Sequence, residues 1–418
     1  MPADPTPSFS LLLTQLFALL VLARVLGDAF RARGQPAVVG ELLAGVLLGP
    51  TVVGRCWPSF ETALFPAGAR QQLMLDTVCW LGTLFLLLIA GMEIDLQVLR
   101  RRGKAALLTS LMGIAVPFAS GIAVAAAVGD AYAGPHANRE TFTLFLGVAM
   151  SISAIPVISR ILLDLRMMDT TVGQVILAAA VVDDLVGWLV FGMLVASMGR
   201  GDSGVPGAGR VALVLGFAVA AVTVGVVAMR RLLAAVQRTA TTTGGVLSTC
   251  LAVAIGCGAI AETIGVHAVF GAFLAGVMIG GSGELAEPAR RSVPDFVLYF
   301  FSPIFFAAVG VKVDFAAHLD PRLVAIMLVV AFVGKIGGCG LGALWGGLPG
   351  RQALAVGVGM NARGAMEIVL ALLALQAGLI RESVFTALIL VAIVTSMASG
   401  PLLRLLMPET RRPSVTAA

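Results

Sequence analysis

The sequence has little charge. Of its 418 residues, 59% are apolar and 12% are Asp, Glu, Lys or Arg, whereas soluble domains have about 45–50% apolar and about 25% charged residues. A chain with half the usual charge cannot cover a water-facing surface, so the composition excludes an ordinary soluble domain. The 49 glycines agree with a membrane protein, because small residues let helices approach closely in a bilayer.

Other shortages exclude further classes. The net charge of +5 comes from Lys and Arg spread over short loops, so the sequence predicts no nucleic-acid partner. The five cysteines have neither metal-ligand spacing nor the pattern of a disulfide framework, and we expect no cofactor. The first residues, MPADPTPS, lack the basic segment and cleavage site of a signal peptide. The apolar run from Ser8 is therefore predicted to be a retained first span.

The apolar runs predict an all-α polytopic membrane protein, since a span needs about 20 apolar residues. We count thirteen segments, near residues 8–27, 37–53, 71–92, 105–128, 141–163, 172–198, 209–229, 246–263, 266–282, 294–312, 323–346, 351–379 and 384–406. With the amino terminus outside, 18 Lys and Arg fall on the cytoplasmic side and 8 on the external side. This bias predicts an external amino terminus and a cytoplasmic carboxyl terminus.

Thirteen spans divide into six, one linker and six, which is the arrangement of inverted-repeat transporters. The fifth span of each half contains helix-breaking residues. In the first half the break lies at Ser151–Pro156, and in the second it lies at Gly357–Gly364, which includes Asn361. Proline removes a backbone donor and glycine loosens a helix. Interrupted helices in corresponding places indicate a binding site at the middle of the membrane.

Five charged residues lie deep inside predicted spans: Asp183, Asp184, Lys335, Arg363 and Glu367. A charge at such depth costs at least about 2.5–3.5 kcal/mol, so it is kept where it pairs or has a function. One interpretation is a structural ion-pair network, in which Arg363 and Glu367 share a helix face. The alternative interpretation is a site for an ion and a proton, because the five residues comprise three carboxylates and two cations. The surplus carboxylate is one for which a proton and a hard monovalent cation can compete.

At these residues the sequence resembles a known family, monovalent cation:proton antiporter family 2, which includes bacterial sodium and potassium exchangers and plant cation/proton exchangers. The matching segments, in the family's order, are GELLAGVLLGP (40–50), FLLLIAGMEIDL (85–96), SAIPVISRIL (153–162), VVDDLVGW (181–188), IGVHAVFGAFLAGVMI (264–279), SPIFFAAVGVKVD (302–314), GKIGGCG (334–340) and MNARGAMEIVLA (360–371).

The resemblance implies an elevator-like core with two crossed broken helices, here the fifth and twelfth spans. It implies that Asp184 alternately binds the cation, Na⁺ or K⁺, and a proton, while Asp183 pairs with Lys335. Ser151 and Ser153 are the loosely matched candidates for a further ligand oxygen. A double-aspartate pattern is associated with electrogenic exchange.

The resemblance also implies how the chain is organised. Residues 8–92 and 209–312 are expected to form the panel that makes a homodimer, and residues 105–198 and 323–406 the transport core. Since the sequence ends about twelve residues after the last span, we expect one transmembrane domain without a cytosolic regulatory domain. The expected location is the bacterial inner membrane, surrounded by lipid.

Two other classes stay open. A cation channel or a ligand sensor could be built on the same fold. An intramembrane aspartyl protease is least favoured, because its two carboxylates must face each other across a gap and share a proton. Adjacent aspartates on one helix cannot do so, which leads us to expect a transporter and not an enzyme.

Overall fold

The structure is a computed structural model. It describes residues 8–66, 68–93, 103–168, 170–197, 207–239, 243–264, 267–283 and 287–407. Every regular element in these ranges is helical. The helices are α1 (Phe9–Ala32), α2 (Ala37–Leu48), α3 (Val53–Cys56), α4 (Pro58–Leu64), α5 (Ala69–Met92), α6 (Gly103–Val128), α7 (Arg139–Ser151), α8 (Ile155–Asp164), α9 (Thr171–Ser197), α10 (Gly207–Ala220), α11 (Val226–Thr239), α12 (Thr243–Thr263), α13 (Ala268–Ser282), α14 (Glu287–Phe296), α15 (Ser302–Val311), α16 (Phe315–His318), α17 (Pro321–Trp345), α18 (Gly350–Met360), α19 (Ala365–Gln376) and α20 (Glu382–Leu406). The prediction of an all-α protein is confirmed.

Nine helical stretches in the described ranges are long and apolar enough to cross a bilayer: Phe9–Ala32, Ala37–Cys56, Arg70–Met92, Gly103–Val128, Ala212–Arg238, Gly244–Thr263, Arg290–Val311, Pro321–Trp345 and Glu382–Leu406. Helix is present in all thirteen predicted ranges, but 141–163, 172–198, 266–282 and 351–379 lie outside that set of nine. The number thirteen, the inverted repeat and the orientation of the termini therefore stay predictions.

The chain forms two compact units. Unit 1 consists of residues 1–94 and 191–319, and unit 2 consists of residues 95–190 and 320–418. The ranges predicted as the panel lie in unit 1. Those predicted as the transport core lie in unit 2, except for the last residues of 105–198. The roles of panel and core stay predictions.

Within unit 1, glycines bring helix backbones into contact. A Cβ atom built on Gly45 of α2 would lie 1.8 Å from the carbonyl oxygen of Ala307 in α15, and one on Gly310 would lie 2.2 Å from that of Leu42. Because hydrogen is the largest side chain that fits at such positions, α2 and α15 pack at the short distance typical of membrane helices. Their contact also includes a hydrogen bond of 3.1 Å from Ser302 Oγ to Glu41 Oε2.

Within unit 2, two loops pair with each other. The segment after α6 and the segment after α19 form an isolated antiparallel bridge between Ala133 and Ile380. Gly134 N donates to Leu379 O at 3.0 Å, and His136 N donates to the carbonyl oxygen of Gly378 at 3.0 Å. Gly378 has a φ of 68°, a left-handed conformation that glycine adopts without strain.

The same loop is joined to the start of α17. Tyr132 Oη donates to Asp320 Oδ2 at 2.5 Å, while Asp320 Oδ1 accepts from the backbone N–H groups of Arg322 and Leu323 as the helix N-cap. The hydrogen bond from Tyr132, with help from the Leu323 N–H, lowers the pKa of Asp320 below its ordinary value. The same bond raises the pKa of Tyr132.

We expect Tyr132→Phe to lower the melting temperature of the protein by an amount that depends on pH. Because the pKa of Asp320 is lowered by folding, its contribution is complete above its unfolded pKa of about 3.9 and is lost as the pH falls through the folded value. Because the pKa of Tyr132 is raised, its contribution is complete below its unfolded value of about 10 and is lost as the pH rises through the folded value. The difference in melting temperature between parent and variant should thus be constant near neutral pH and shrink in acid.

The matched control is Tyr299→Phe, which changes the second of the two tyrosines and keeps the ring that Arg24 covers at 5.0 Å. That variant should match the parent at every pH. A Tyr132→Phe effect of the same size in acid and at neutral pH would show that the bond to Asp320 does not cause it.

Candidate functional site

Among the described residues of unit 2, five charged side chains are buried. Asp183 and Glu367 are 1% exposed, and Asp184, Lys335 and Arg363 are 0% exposed. They come from α9, α17, the segment before α19, and α19 itself. The sequence-predicted charges are thus all in one unit, and four of them form two ion pairs.

The first ion pair joins Lys335 to Asp183. Lys335 Nζ lies 2.5 Å from Asp183 Oδ2, and Ser110 Oγ donates to Asp183 Oδ1 at 2.7 Å. Ser153 Oγ lies 3.2 Å from Asp183 Oδ2 and 2.8 Å from Met360 O, so one hydroxyl faces two acceptors. Asp183 therefore has a cation and two hydroxyl groups around it, as a buried charge requires.

The second ion pair joins Arg363 to Glu367. Arg363 Nη1 lies 2.8 Å from Glu367 Oε1, and Ser396 Oγ donates to the Arg363 carbonyl oxygen. Glu367 lies in the first turn of α19, where a negative charge interacts favourably with the positive end of the helix dipole. Arg363 precedes α19 and belongs to the break, so the pair is not the within-helix pair that the spacing predicted.

Both cations also bind the end of α7, the first half of a broken helix. Arg363 donates to Ala149 O at 2.8 Å and to Met150 O at 2.5 Å. Lys335 donates to Ser151 O and, at 3.0 Å, to Gly113 O. The last carbonyl groups of a helix have no partner within it and form the negative end of its dipole. The two cations therefore neutralise a buried helix end.

The two breaks lie against each other. The first comprises residues 152–154 between α7 and α8, and the second comprises residues 361–364 between α18 and α19. Ala154 N donates to Ala362 O at 3.1 Å, which joins the breaks directly. Asn361 is the C-cap of α18 and Gly364 is the N-cap of α19.

One predicted break residue lies at the edge of the first break. Pro156 lies in the first turn of α8, after the break and not in it. The physical reason is that the first turn of a helix tolerates proline, because the N–H groups there have no helical partner. The predicted break, Ser151–Pro156, contains the observed one, and Pro156 lies just after its end.

Gly364 allows the two breaks to approach. A Cβ atom built on it would lie 2.5 Å from Val157 Cγ2 and 3.6 Å from Ala154 Cβ. We expect Gly364→Ala to lower the stability of the protein by about 1–3 kcal/mol, the range for overpacking, measured as thermal unfolding in detergent. Gly337→Ala is the control, since a Cβ atom there meets nothing within 4 Å. Equal stability of Gly364→Ala and the parent would refute the close contact.

Asp184 follows Asp183 on α9 and is equally buried. Consecutive helical residues point about 100° apart, so the two aspartates face different neighbours. With Asp184 the cluster contains three carboxylates and two cations, which gives a formal charge of −1 when all are ionised. One proton or one monovalent cation would make the cluster neutral.

The two candidate serines differ. Ser153 contacts the Asp183 carboxylate, as described above, whereas Ser151 Oγ donates to Val148 O within its own helix and only its carbonyl group reaches the cluster. A role of either one as an ion ligand stays a prediction. Two further serines contact the cluster and were not predicted from the sequence: Ser110 and Ser396. Ser396 had one available signal, because Thr395, Ser396 and Ser399 are small polar residues close together in an apolar span.

The chain is similar to characterised transporters. It is 32% identical over 404 residues to the Na(+)/H(+) antiporter NhaS4 of Synechocystis, covering 95% of this chain and 97% of that protein. It is 31% identical over 395 residues to Cation/H(+) antiporter 17 of Arabidopsis thaliana (94% and 48%), and 29% identical over 420 residues to K(+)/H(+) antiporter 1 of Saccharomyces cerevisiae (97% and 47%). The chain spans about half the length of the plant and yeast relatives.

A solved structure shows the same fold. The sodium proton antiporter MjNhaP1 from Methanocaldococcus jannaschii matches with a TM-score of 0.67 and 13% identity, covering 96% of this chain and 99% of that one. These relatives are transporters and not enzymes, so the protease hypothesis is excluded and the resemblance to cation:proton antiporters is confirmed. The family model described as "Sodium/hydrogen exchanger, transmembrane" matches residues 15–407, and the chain therefore belongs to the transmembrane sodium/hydrogen exchanger family.

Proposed function

We propose that the chain exchanges Na⁺ or K⁺ for protons across the membrane, and that Asp184 binds the cation and the proton in turn. The observation that carries this proposal is the charge of the cluster, with three buried carboxylates and two cations in unit 2. The surplus negative charge can be neutralised by one proton or one cation but not by both, and this competition couples the two fluxes.

The ligand chemistry suits a hard monovalent cation. Carboxylate and carbonyl oxygens are the ligands that such ions prefer, and broken helices present carbonyl groups at membrane depth. Ser153 and the carbonyl groups of residues 152–154 are the proposed further ligands. Since NhaS4 is named as a Na(+)/H(+) antiporter and matches over nearly its whole length, Na⁺ is the favoured ion and K⁺ is the alternative.

Unit 2 is the proposed moving body of an elevator mechanism. All the contacts described for Asp183, Lys335, Arg363 and Glu367 are made within unit 2, so these contacts can be kept while unit 2 moves. Unit 1 is the proposed panel and forms the proposed homodimer. Because the adjacent Asp183 and Asp184 form the double-aspartate pattern that is associated with electrogenic exchange, we propose that exchange is electrogenic.

Reconstitution into liposomes tests the proposal. A pH gradient is imposed and proton movement is followed after addition of Li⁺, Na⁺, K⁺ or Rb⁺, with and without a clamped membrane potential. Proton efflux driven by Na⁺ or K⁺, and accelerated by a potential of the right sign, is the expected result. A cation current that needs no protons would show a channel, and the absence of any flux with cation binding retained would favour a ligand sensor.

A further inference from the structure

Glu367 is a buried carboxylate whose two oxygens have different surroundings. Oε1 accepts from Arg363 at 2.8 Å, whereas Oε2 has no hydrogen-bond partner among the residues that the structure describes. An ionised carboxylate has about four acceptor positions. A single direct contact leaves much of the negative charge of Glu367 to act on the rest of the cluster.

Arg363 connects Glu367 to the proposed ion site. Its guanidinium donates to Glu367 with Nη1 and to the carbonyl groups of Ala149 and Met150. The next carbonyl group along the chain, that of Ser151, accepts from Lys335, which is the partner of Asp183. A substitution at position 367 is therefore connected to the aspartates by a chain of contacts that runs through Arg363, the end of α7 and Lys335.

Arg363 is the charged residue that contacts Glu367 directly. Besides Arg363, Lys335 contributes to its electrostatic environment, and it does so without contact. The helices packed against α19 in unit 2 are α7 and α20. Their own charged residues, Arg139 and Glu140 in α7 and Glu382 and Arg404 in α20, lie near helix ends.

We propose that Glu367 is a positioning residue for ion exchange, which holds Arg363 against the end of α7 and supplies the negative charge that makes the cluster attract one proton or one cation. This inference rests on the proposed function. The surplus charge belongs to the whole cluster, so removing it at Glu367 weakens binding of both competitors. Without it, protons leave the aspartates at a lower pH and the cation binds less tightly.

The test is Glu367→Gln, which keeps the size and the acceptor oxygen for Arg363 and removes the charge. Initial exchange rates are measured in liposomes over a series of Na⁺ or K⁺ concentrations and pH values. We expect KM for the cation to rise about tenfold and the pH of half-maximal activity to fall by about one unit, which is the same tenfold change in proton affinity. The kcat value should change less than KM. Parental KM and pH profile in this variant would overturn the proposal.

Two further variants keep the test decisive. Glu367→Asp keeps the negative charge but shortens the side chain that reaches Arg363, so it should keep the parental pH profile and lower kcat. A shifted pH profile in this variant would show that the charge at position 367 does not set the proton affinity of the cluster. Glu41→Gln removes a buried carboxylate (5% exposed) from unit 1 and should leave the pH profile unchanged; a shift as large as that of Glu367→Gln would overturn the proposal. A parent that transports nothing overturns the proposed function itself, which is a different result.

Discussion

Asp184→Asn is expected to reduce cation–proton exchange to the level of empty liposomes while the protein stays folded. An amide cannot release a proton near neutral pH, and it brings no negative charge to neutralise a cation. The variant changes the cluster from three carboxylates and two cations to two and two. Because a neutral cluster is easier to bury than a charged one, thermal stability should equal or exceed that of the parent. Flux assays and thermal unfolding in detergent measure the two effects on the same preparation.

A matched control is Asp164→Asn, which neutralises an exposed aspartate of the same unit that pairs with Arg160 at 3.2 Å. Exposed ion pairs contribute little, so its flux should equal that of the parent. Exchange at the parental rate by Asp184→Asn would show that Asp184 is not the proton and cation carrier. Loss of flux accompanied by loss of folding would assign Asp184 a structural role instead.

The low content of charged residues made the class of protein predictable. The position of five charged residues deep inside apolar runs made the site residues predictable. A sequence with 12% charged residues has long apolar runs in which each charge stands out, and the high cost of a charge in lipid means that few are present without a reason. The ion pair of Asp183 and Lys335 was implied by the family resemblance, since the two residues are 152 positions apart. That of Arg363 and Glu367 was predicted from their spacing of four residues, a local signal, although Arg363 lies before the helix and not in it.

The rest of the site depends on contacts between distant segments. Ser110 lies on α6 among apolar and small residues, and nothing in its neighbourhood indicates that it donates to Asp183. The binding of Arg363 to the carbonyl groups of Ala149 and Met150 involves backbone atoms, which every residue has, so no residue type marks it. The exact end of the first break was also unpredictable, because Pro156 is accepted equally in a break and in a first helical turn. Periodicity and charge identify spans, and packing decides which backbone atoms meet.

The second large effect is expected for Lys335→Met, which should destabilise the protein strongly and stop exchange. Lys335 is 0% exposed and lies 2.5 Å from Asp183 Oδ2. Methionine has a similar length and no charge, so the variant leaves a buried aspartate without its cation, and the carbonyl groups of Gly113 and Ser151 without a donor. Removing one partner of a buried ion pair costs about 3–5 kcal/mol. Thermal unfolding in detergent should show this loss before any flux is measured.

Adding Asp183→Asn to Lys335→Met separates the cost of an unpaired charge from a loss of packing. The double variant replaces the ion pair by two neutral groups, and the new amide oxygen at position 183 can still accept from Ser110. Since neutral replacements of buried pairs are often tolerated, the double variant should recover most of the stability that Lys335→Met loses, and a double-mutant cycle measures the coupling. A double variant as unstable as Lys335→Met would mean that the lysine stabilises unit 2 mainly through the helix-end carbonyl groups, and that its pairing with Asp183 is secondary.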